Sequence, residues 1–368
     1  MAEFTTLGAI VGLVVAIVLI IKKVSPAYSL ILGALFGGII GGGGLETTVS
    51  IMVSGASGMM SSVLRIMTSG ILAGALIKTG SAEKIAETIV EKLGEKRAAF
   101  AISIATMIIC TVGVFIDISV ITVAPIAMAI GRKAGLTKSS ILLAMIGGGK
   151  AGNILSPNPN TIAASEAFGV DLTALMMENI VPAIGALIVT VILATMLSKQ
   201  ILEYKMIKKD VIETSEESKE KNNLPGFGPA ICGPLVVIVL LALRPICGIS
   251  IDPLIALPVG GLISVLVTGN AKDTIKITEF GLSKVIGVSV LLIGTGTIAG
   301  IIKASALQAD VITVIEAMNM PAFVLAPLSG ILMAAATAST TAGTTIASQT
   351  FGATLLGQGV AAVSAGAM

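Results

Sequence analysis

The chain has 368 residues, of which 55% are hydrophobic and only 12% are charged, with a net charge of +2. Soluble globular domains carry about 25% charged residues, so this composition excludes an ordinary soluble domain. Uncharged runs such as Val24–Gly44 and Asn179–Ser198 are long enough to cross a bilayer as helices and lack the alternation of barrel strands. Because no basic stripe is present, nucleic acid is excluded as a partner. We therefore expect an all-α polytopic membrane protein that lies in the lipid bilayer.

Cysteine and histidine usage argues against a metal site. Cys110, Cys232 and Cys247 stand singly in apolar surroundings, and the chain has no histidine. We therefore expect buried structural thiols, no metal and no bound cofactor. An intramembrane enzyme is disfavoured because no nucleophile turn is recognisable, and no Walker-type loop supports ATP coupling.

Apolar runs between charged loops predict the spans in chain order. Lysines follow the first run instead of preceding it, which indicates a retained span and not a signal peptide. The uninterrupted spans lie near 7–21, 27–44, 49–77, 179–198, 230–247, 254–269 and 282–302, and the interrupted regions are 98–131, 140–170 and 321–352.

The distribution of Lys and Arg predicts the orientation of the spans. An N-terminus outside the cell places most of the 23 basic residues in cytoplasmic loops, as the positive-inside rule requires. This orientation holds only if region 98–131 enters and leaves the membrane on the same side. Its second arm, Ile118–Ile130, is also too short for a full crossing. We therefore predict a re-entrant hairpin with Asp117 between its arms.

The chain also contains an internal repeat. Ile71–Leu93 and Thr297–Met318 each read as the end of a span followed by an amphipathic helix, and a polar-interrupted apolar stretch follows both. The positive-inside count places the two amphipathic helices on opposite sides, so the repeats are inverted, as in many transporters. Chance similarity between apolar segments is the alternative.

These features predict three regions of the chain. Residues 1–198 form the first repeat, 199–224 a charged cytoplasmic loop, and 225–368 an inverted second repeat with its own re-entrant hairpin. The discontinuous helix of the first repeat has no counterpart before Met368. We therefore expect the chain to be a fragment that lacks its last spans.

A proline- and glycine-rich stretch, Gly147–Thr161, interrupts the first repeat. Its three consecutive glycines and two prolines predict a non-helical break, and Lys150 lies roughly 18 Å from the cytoplasmic face by helical rise. Ends of half-helices and a lysine at that depth suit an anion. The alternative is that Lys150 only pairs with Asp117. The predicted ligands in this stretch are Lys150, Asn153, Ser156, Asn158, Asn160 and Thr161.

Other polar groups lie at membrane depth. Asp117, with Ser119, is predicted to carry a proton or sodium ion, and a structural carboxylate is the alternative. Arg65 is either a second anion ligand or a bundle-pairing arginine. The second hairpin supplies further predicted ligands from its hydroxyl run, although such hydroxyls also serve helix packing: Ser339, Thr340, Thr341 and Thr344.

The stretch Gly113–Asp171 resembles the gluconate permease family. The resemblance rests on Asp117–Pro125, on the break at Ser156–Thr161 followed by Gly169-Val170-Asp171, and on the hydroxyl run Thr337–Thr345. It implies a bacterial inner-membrane protein of the ion transporter superfamily, which has inverted repeats and re-entrant hairpins. It also implies a homodimer with a scaffold and a moving transport domain.

The sequence therefore predicts a secondary transporter of a small organic anion, without enzymatic activity. By resemblance it would carry gluconate or a related hydroxycarboxylate by proton symport and alternating access. Family members often carry histidine where this chain has Asn158, which permits a different hydroxyacid. The alternatives are an ion channel and a citrate-like or sodium-coupled transporter of the same superfamily.

Overall fold

The fold consists of helices, as the composition predicts. The computed structural model describes residues 3–203, 224–249, 251–307, 309–310, 313, 321–337 and 340–368. Within these ranges the only β-type pairing is an isolated bridge between Phe4 and Ser305. The all-α prediction is therefore confirmed.

Eleven helices precede the charged loop and six follow it in the described ranges. The first group is α1 (Thr6–Ile21), α2 (Pro26–Ile40), α3 (Gly44–Ser57), α4 (Met60–Lys78), α5 (Ser81–Leu93), α6 (Ala98–Thr111), α7 (Ile116–Lys133), α8 (Lys138–Asn153), α9 (Pro159–Ala167), α10 (Leu172–Glu178) and α11 (Ile180–Glu203). The second group is α12 (Phe227–Cys247), α13 (Pro253–Val267), α14 (Thr274–Ala304), α15 (Ala322–Thr337), α16 (Thr340–Gly357) and α17 (Ala362–Ala367).

The helices have the apolar character of a membrane-embedded protein. Among the described residues, three segments are long and apolar enough to cross a membrane, namely Met60–Lys78, Ile180–Ser198 and Ala271–Ala304. Only 22% of the most apolar 18-residue stretch of Ile180–Ser198 is buried. Large side chains such as Val181 and Ile188 therefore face outward. Soluble monomers rarely expose such continuous apolar surface, whereas lipid covers it at no cost.

The prediction of one uninterrupted span at 49–77 is wrong. The chain forms α3 and α4 instead, with a turn at Gly58 and Met59. The Gly58 amide still bonds the Ser54 carbonyl at 3.0 Å, whereas Met59 shifts to the Ala56 carbonyl. Glycine has weak helix propensity, which permits this change of pattern.

The predicted hairpin at 98–131 is a helix pair, α6 and α7, joined by a turn at 112–115. Helix α7 covers 18 residues, so its second arm is longer than the predicted Ile118–Ile130, and the argument from a short arm is wrong. That this helix pair enters and leaves the membrane on the same side stays a prediction, which the charge distribution supports. In the second half, α15 and α16 form the corresponding pair.

The predicted amphipathic helix after the first repeat's long span is confirmed as α5. Ala82, Ile85, Ala86 and Val90 are buried on one face, whereas its glutamates and lysines stay partly or fully exposed. Its counterpart before Met318 lies largely outside the described residues, as does most of the charged loop 199–224.

The prediction that the three cysteines are buried is correct only for Cys110. Cys110 is buried inside α6, but Cys232 is half-buried and Cys247 is exposed at the end of α12.

The helices divide into two compact units. The first comprises Met1–Met67, Pro159–Glu178 and Val285–Met368. Its core joins Phe4 and Leu30 to Ile298 and Ile346. Helices α1 and α2 pack closely, since a Cβ built on Gly37 would lie 3.0 Å from the Gly12 Cα.

The second unit comprises Thr68–Asn158 and Asn179–Lys284. Its core joins side chains of α4 to α8 and of α12 and α13, including Leu72, Ile102, Ile141 and Leu257. The division of the sequence at the charged loop into 1–198 and 225–368 stays a prediction.

Candidate functional site

The predicted helix break is present, but it is shorter than predicted. The glycines at 147–149 lie inside α8, so the prediction that they interrupt the helix is wrong. They are tolerated because neighbouring helices approach closely: a Cβ on Gly148 would contact the Ser103 carbonyl oxygen and lie 2.7 Å from the Ser103 Cα. On Gly152 it would lie 2.9 Å from the Cys110 Cβ. The break itself covers 154–158, between Asn153 and Pro159.

Side-chain amides hold the backbone of this break. The Asn158 Nδ2 donates to the Asn153 carbonyl, and also to the carbonyl and hydroxyl of Ser156 at 3.3 and 3.1 Å. Farther along the chain, the Asn179 Nδ2 donates to the Ile154 carbonyl at 3.0 Å. Non-helical backbone at membrane depth needs such internal partners because no bulk water reaches it.

The predicted ligands of the break are therefore built into a buried turn. Ser156 and Asn158 are 1% and 3% exposed, and Asn153 is 7% exposed. The amide nitrogen of Asn158 closes the turn. The Asn158 side chain thus has a structural task that the sequence pattern did not indicate.

Two exposed charged groups of the same unit interact with each other, and one of them precedes the break in α8. Lys150 is in the last turn of α8, and Asp117 is in the first turn of α7. The two charges interact electrostatically, and both also act on the buried Cys110 thiol. The carboxylate at a helix N-terminus is favoured by the helix dipole. The structure thus brings the two predicted charges into one neighbourhood.

Ser119, predicted to assist ion coupling, is fully buried. Its hydroxyl accepts from the Cys110 Sγ at 3.2 Å and donates to the Val114 carbonyl at 3.4 Å. These bonds hold the turn between α6 and α7, which carries Asp117.

The remaining predicted ligands lie in the other unit, where α9 packs against α16. The Thr341 Oγ1 donates to the Asn160 Oδ1 at 2.6 Å, which joins the residue after the break to the second hairpin. Thr161 is 3% exposed, Thr344 is half-buried and Thr340 is exposed. Ser339 lies outside the described residues.

Arg65 forms an ion pair that the sequence pattern did not indicate. Its Nη1 contacts the Glu166 Oε1, and the two side chains are 26% and 18% exposed. Glu166 is on α9, within the otherwise apolar and small stretch 162–168. A lone carboxylate in such a stretch is a recognisable signal of function or pairing. The contact shows that Arg65 pairs with another helix, and its interpretation as a second anion ligand stays a prediction.

Comparison with known proteins decides the family. A family model described as "GntP family permease" matches residues 4–362. The chain belongs to this permease family.

Relatives of this GntP family permease carry transporter names. An uncharacterised transporter of Haemophilus influenzae is 51% identical over the whole chain, which covers 86% of that protein. A high-affinity gluconate transporter of Escherichia coli is 26% identical over 78% of the chain and 69% of its own length. A gluconate permease of Pseudomonas aeruginosa is 25% identical over 67% of the chain. The chain spans only 55% of that permease and about half of another, a Haemophilus influenzae permease.

A solved structure shares the fold. The YdaH transporter of Alcanivorax borkumensis, described as having an unusual topology, is similar with a TM-score of 0.58. The alignment covers 88% of this permease and 75% of YdaH, at 15% identity. This GntP family permease therefore has the fold of a membrane transporter and is embedded in a membrane.

Proposed function

We propose that this permease is a secondary transporter that carries gluconate or a related hydroxycarboxylate by proton symport and alternating access. The observation that carries the proposal is the buried polar turn at 154–158, preceded in α8 by Lys150, which interacts with Asp117. Relatives named as gluconate transporters support the substrate class.

Lys150 is proposed to bind the substrate carboxylate. Lys150 and Asp117 are both exposed, so both can be reached by a substrate, and Asp117 serves as the counter-ion of Lys150 while no substrate is present. A substrate carboxylate is a chemically equivalent partner, so it replaces Asp117 without leaving Lys150 unpaired.

Asp117 is proposed to take up the coupled proton as the substrate binds. Protonation removes its charge when Lys150 turns to the substrate, so the loaded site keeps the charge of the empty one. Ser119 holds the turn that positions this carboxylate. A sodium ion bound at Asp117 would satisfy the same charge balance and is the second candidate for coupling.

The uncharged side chains are proposed to recognise the substrate hydroxyls. Asn153 and Ser156 lie at the helix break, Asn160 and Thr161 follow it in α9, and Thr341 donates to Asn160. Thr340, Thr344 and Ser339 complete the proposed set. Amide and hydroxyl groups both donate and accept, which suits a polyhydroxy acid.

Further features of the fold are part of the same proposal. We propose a multi-pass protein of a bacterial inner membrane, with two inverted repeats and a re-entrant hairpin in each. A homodimer is proposed from the family resemblance. The match to a transporter fold supports the architecture in general terms.

The test is uptake into proteoliposomes, with a panel of labelled hydroxycarboxylates and an imposed proton or sodium gradient. The full-length protein is compared with Lys150→Ala and Asp117→Asn. Lys138→Ala, at the other end of α8, and Asp273→Asn, in an exposed pair with Lys276 at 3.3 Å, are the matched controls.

Proton-driven uptake of one acid, lost in both site variants and kept in both controls, is the expected result. Uptake driven only by sodium would replace the proton in the proposal. Flux that follows the substrate gradient alone, at channel rates, would favour a channel. No uptake by folded protein under any gradient would refute the hydroxycarboxylate proposal.

A further inference from the structure

Arg65 contacts Glu166 from within Met60–Lys78, a segment long and apolar enough to cross a membrane. Lys78 ends α4, and Arg65 is 13 residues before it, which is roughly 20 Å along the helix axis. Both side chains are partly exposed, so they reach an accessible space and are not sealed in the core. Intramembrane charge pairs of this kind are retained mainly where they serve a function.

In the part of the chain that the structure describes, Arg65 is the charged side chain in contact with Glu166. Helices α10, α16 and α17 pack against α9. Helices α16 and α17 contain no ionisable side chain in their sequences. Helix α10 carries Glu178, which accepts from the Ser364 hydroxyl at 2.8 Å, and is preceded by Asp171, which caps it through the Ala174 amide at 3.0 Å. Among the residues that the structure describes, Arg65 is therefore the cation in contact with Glu166.

Polar groups able to bind a second oxygen lie close to this pair. The Ser62 hydroxyl is fully buried and has no hydrogen-bond partner among the described residues. Ser62 is one helical turn before Arg65, so both are on the same side of α4. Helix α9, which carries Glu166, also presents Asn160 to Thr341.

We propose that the Arg65–Glu166 pair is a second carboxylate site, at which the substrate anion displaces Glu166 from Arg65 when Glu166 is protonated. The inference rests on the proposed transport function and deepens it. A guanidinium group binds a carboxylate through two parallel N–H donors, so substrate and Glu166 compete for the same groups.

Charge balance makes the exchange feasible within the membrane. The empty site holds one cation and one anion. One proton moves onto the Glu166 carboxylate, and one substrate carboxylate takes its place on Arg65, so the net charge remains zero. Binding the anion without the proton would leave one excess negative charge in a poorly solvated place, which is costly. Substrate and proton therefore bind together.

The test measures how many protons drive each acid molecule. Wild type and Glu166→Gln are compared in proteoliposomes, using the acid that wild type transports and a gradient of about one pH unit. Glutamine mimics the protonated carboxyl, so exchange without a gradient is retained. Because each coupled proton contributes tenfold per pH unit, the limiting accumulation ratio falls about tenfold.

A neutral double variant separates this role from packing. Arg65→Gln with Glu166→Gln removes both charges of the pair together, so neither charge is left without the other. We expect acid binding to weaken about 10- to 100-fold, the range for a lost charge-assisted hydrogen bond. The control is Lys84→Gln with Glu87→Gln, which removes a pair of 2.8 Å on α5.

An unchanged accumulation ratio in Glu166→Gln would overturn the inference, as would wild-type binding in the neutral double variant. If Glu166→Gln does not fold, the double variant alone decides. Failure of wild type itself to take up any acid would refute the proposed function instead, so the two failures are distinct.

Discussion

Replacing Asn158 by alanine tests whether its side chain holds the helix break. The Asn158 amide nitrogen donates to the Asn153 carbonyl and to the Ser156 carbonyl and hydroxyl, and the side chain is 3% exposed. Each buried hydrogen bond contributes about 1 kcal/mol, and an acceptor left without a partner costs about 1–3 kcal/mol more. We expect Asn158→Ala to lower the free energy of unfolding by about 2–4 kcal/mol.

Asn270 is a matched control for this substitution. Its Nδ2 makes the same contacts two residues back, to the Thr268 carbonyl and hydroxyl at 3.2 and 3.1 Å, but the side chain is only half-buried. Water replaces those bonds in Asn270→Ala, so the expected loss is below about 1 kcal/mol.

Thermal unfolding in detergent, followed by circular dichroism, measures both variants, since the chain has no tryptophan to report by fluorescence. A loss of about 2–4 kcal/mol corresponds to a decrease in Tm of about 3–5 °C for a chain of 368 residues, at about 2.1 cal/mol/K of unfolding entropy per residue. Equal decreases in the two variants would refute the reasoning that burial makes the Asn158 contacts decisive.

Two further predictions concern contacts between helices. Thr341→Val removes the 2.6 Å bond to Asn160 at constant shape, and we expect lower uptake and about 1 kcal/mol lower stability. Thr345→Val, which removes only a bond to its own helix, should retain uptake, and equal losses would contradict the prediction. Gly152→Ala brings a Cβ to 2.9 Å from the Cys110 Cβ, and overpacking should cost about 1–3 kcal/mol in thermal unfolding. Gly185→Ala meets no atom within 4 Å and should stabilise α11 by up to about 1 kcal/mol, so a loss there would refute the packing argument.

The membrane class and most helices followed from the sequence because lipid permits few backbone structures. Apolar length between charged loops located α1, α2, α11 and α13 to within a few residues. The same reasoning failed at 49–77, because a change of hydrogen-bonding pattern at Gly58 does not alter hydropathy.

The glycine-rich stretch shows why helix propensity alone is insufficient. Three consecutive glycines disfavour a helix in isolation, yet α8 continues through them. A Cβ at Gly148 would meet the Ser103 backbone, so close packing against α6 requires the very residues that weaken the helix. Tertiary packing therefore outweighs the local preference of about 1 kcal/mol per glycine.

The sequence by itself determined that this chain is helical, membrane-embedded and interrupted near residue 156 by a polar turn, because apolar length and proline act locally. The distance of Lys150 from the charged loop predicts that it lies at membrane depth, which stays a prediction. Only the tertiary structure decided which groups meet. Asn160 reaches Thr341 and Arg65 reaches Glu166 across separations of 181 and 101 residues, and no local pattern encodes such contacts.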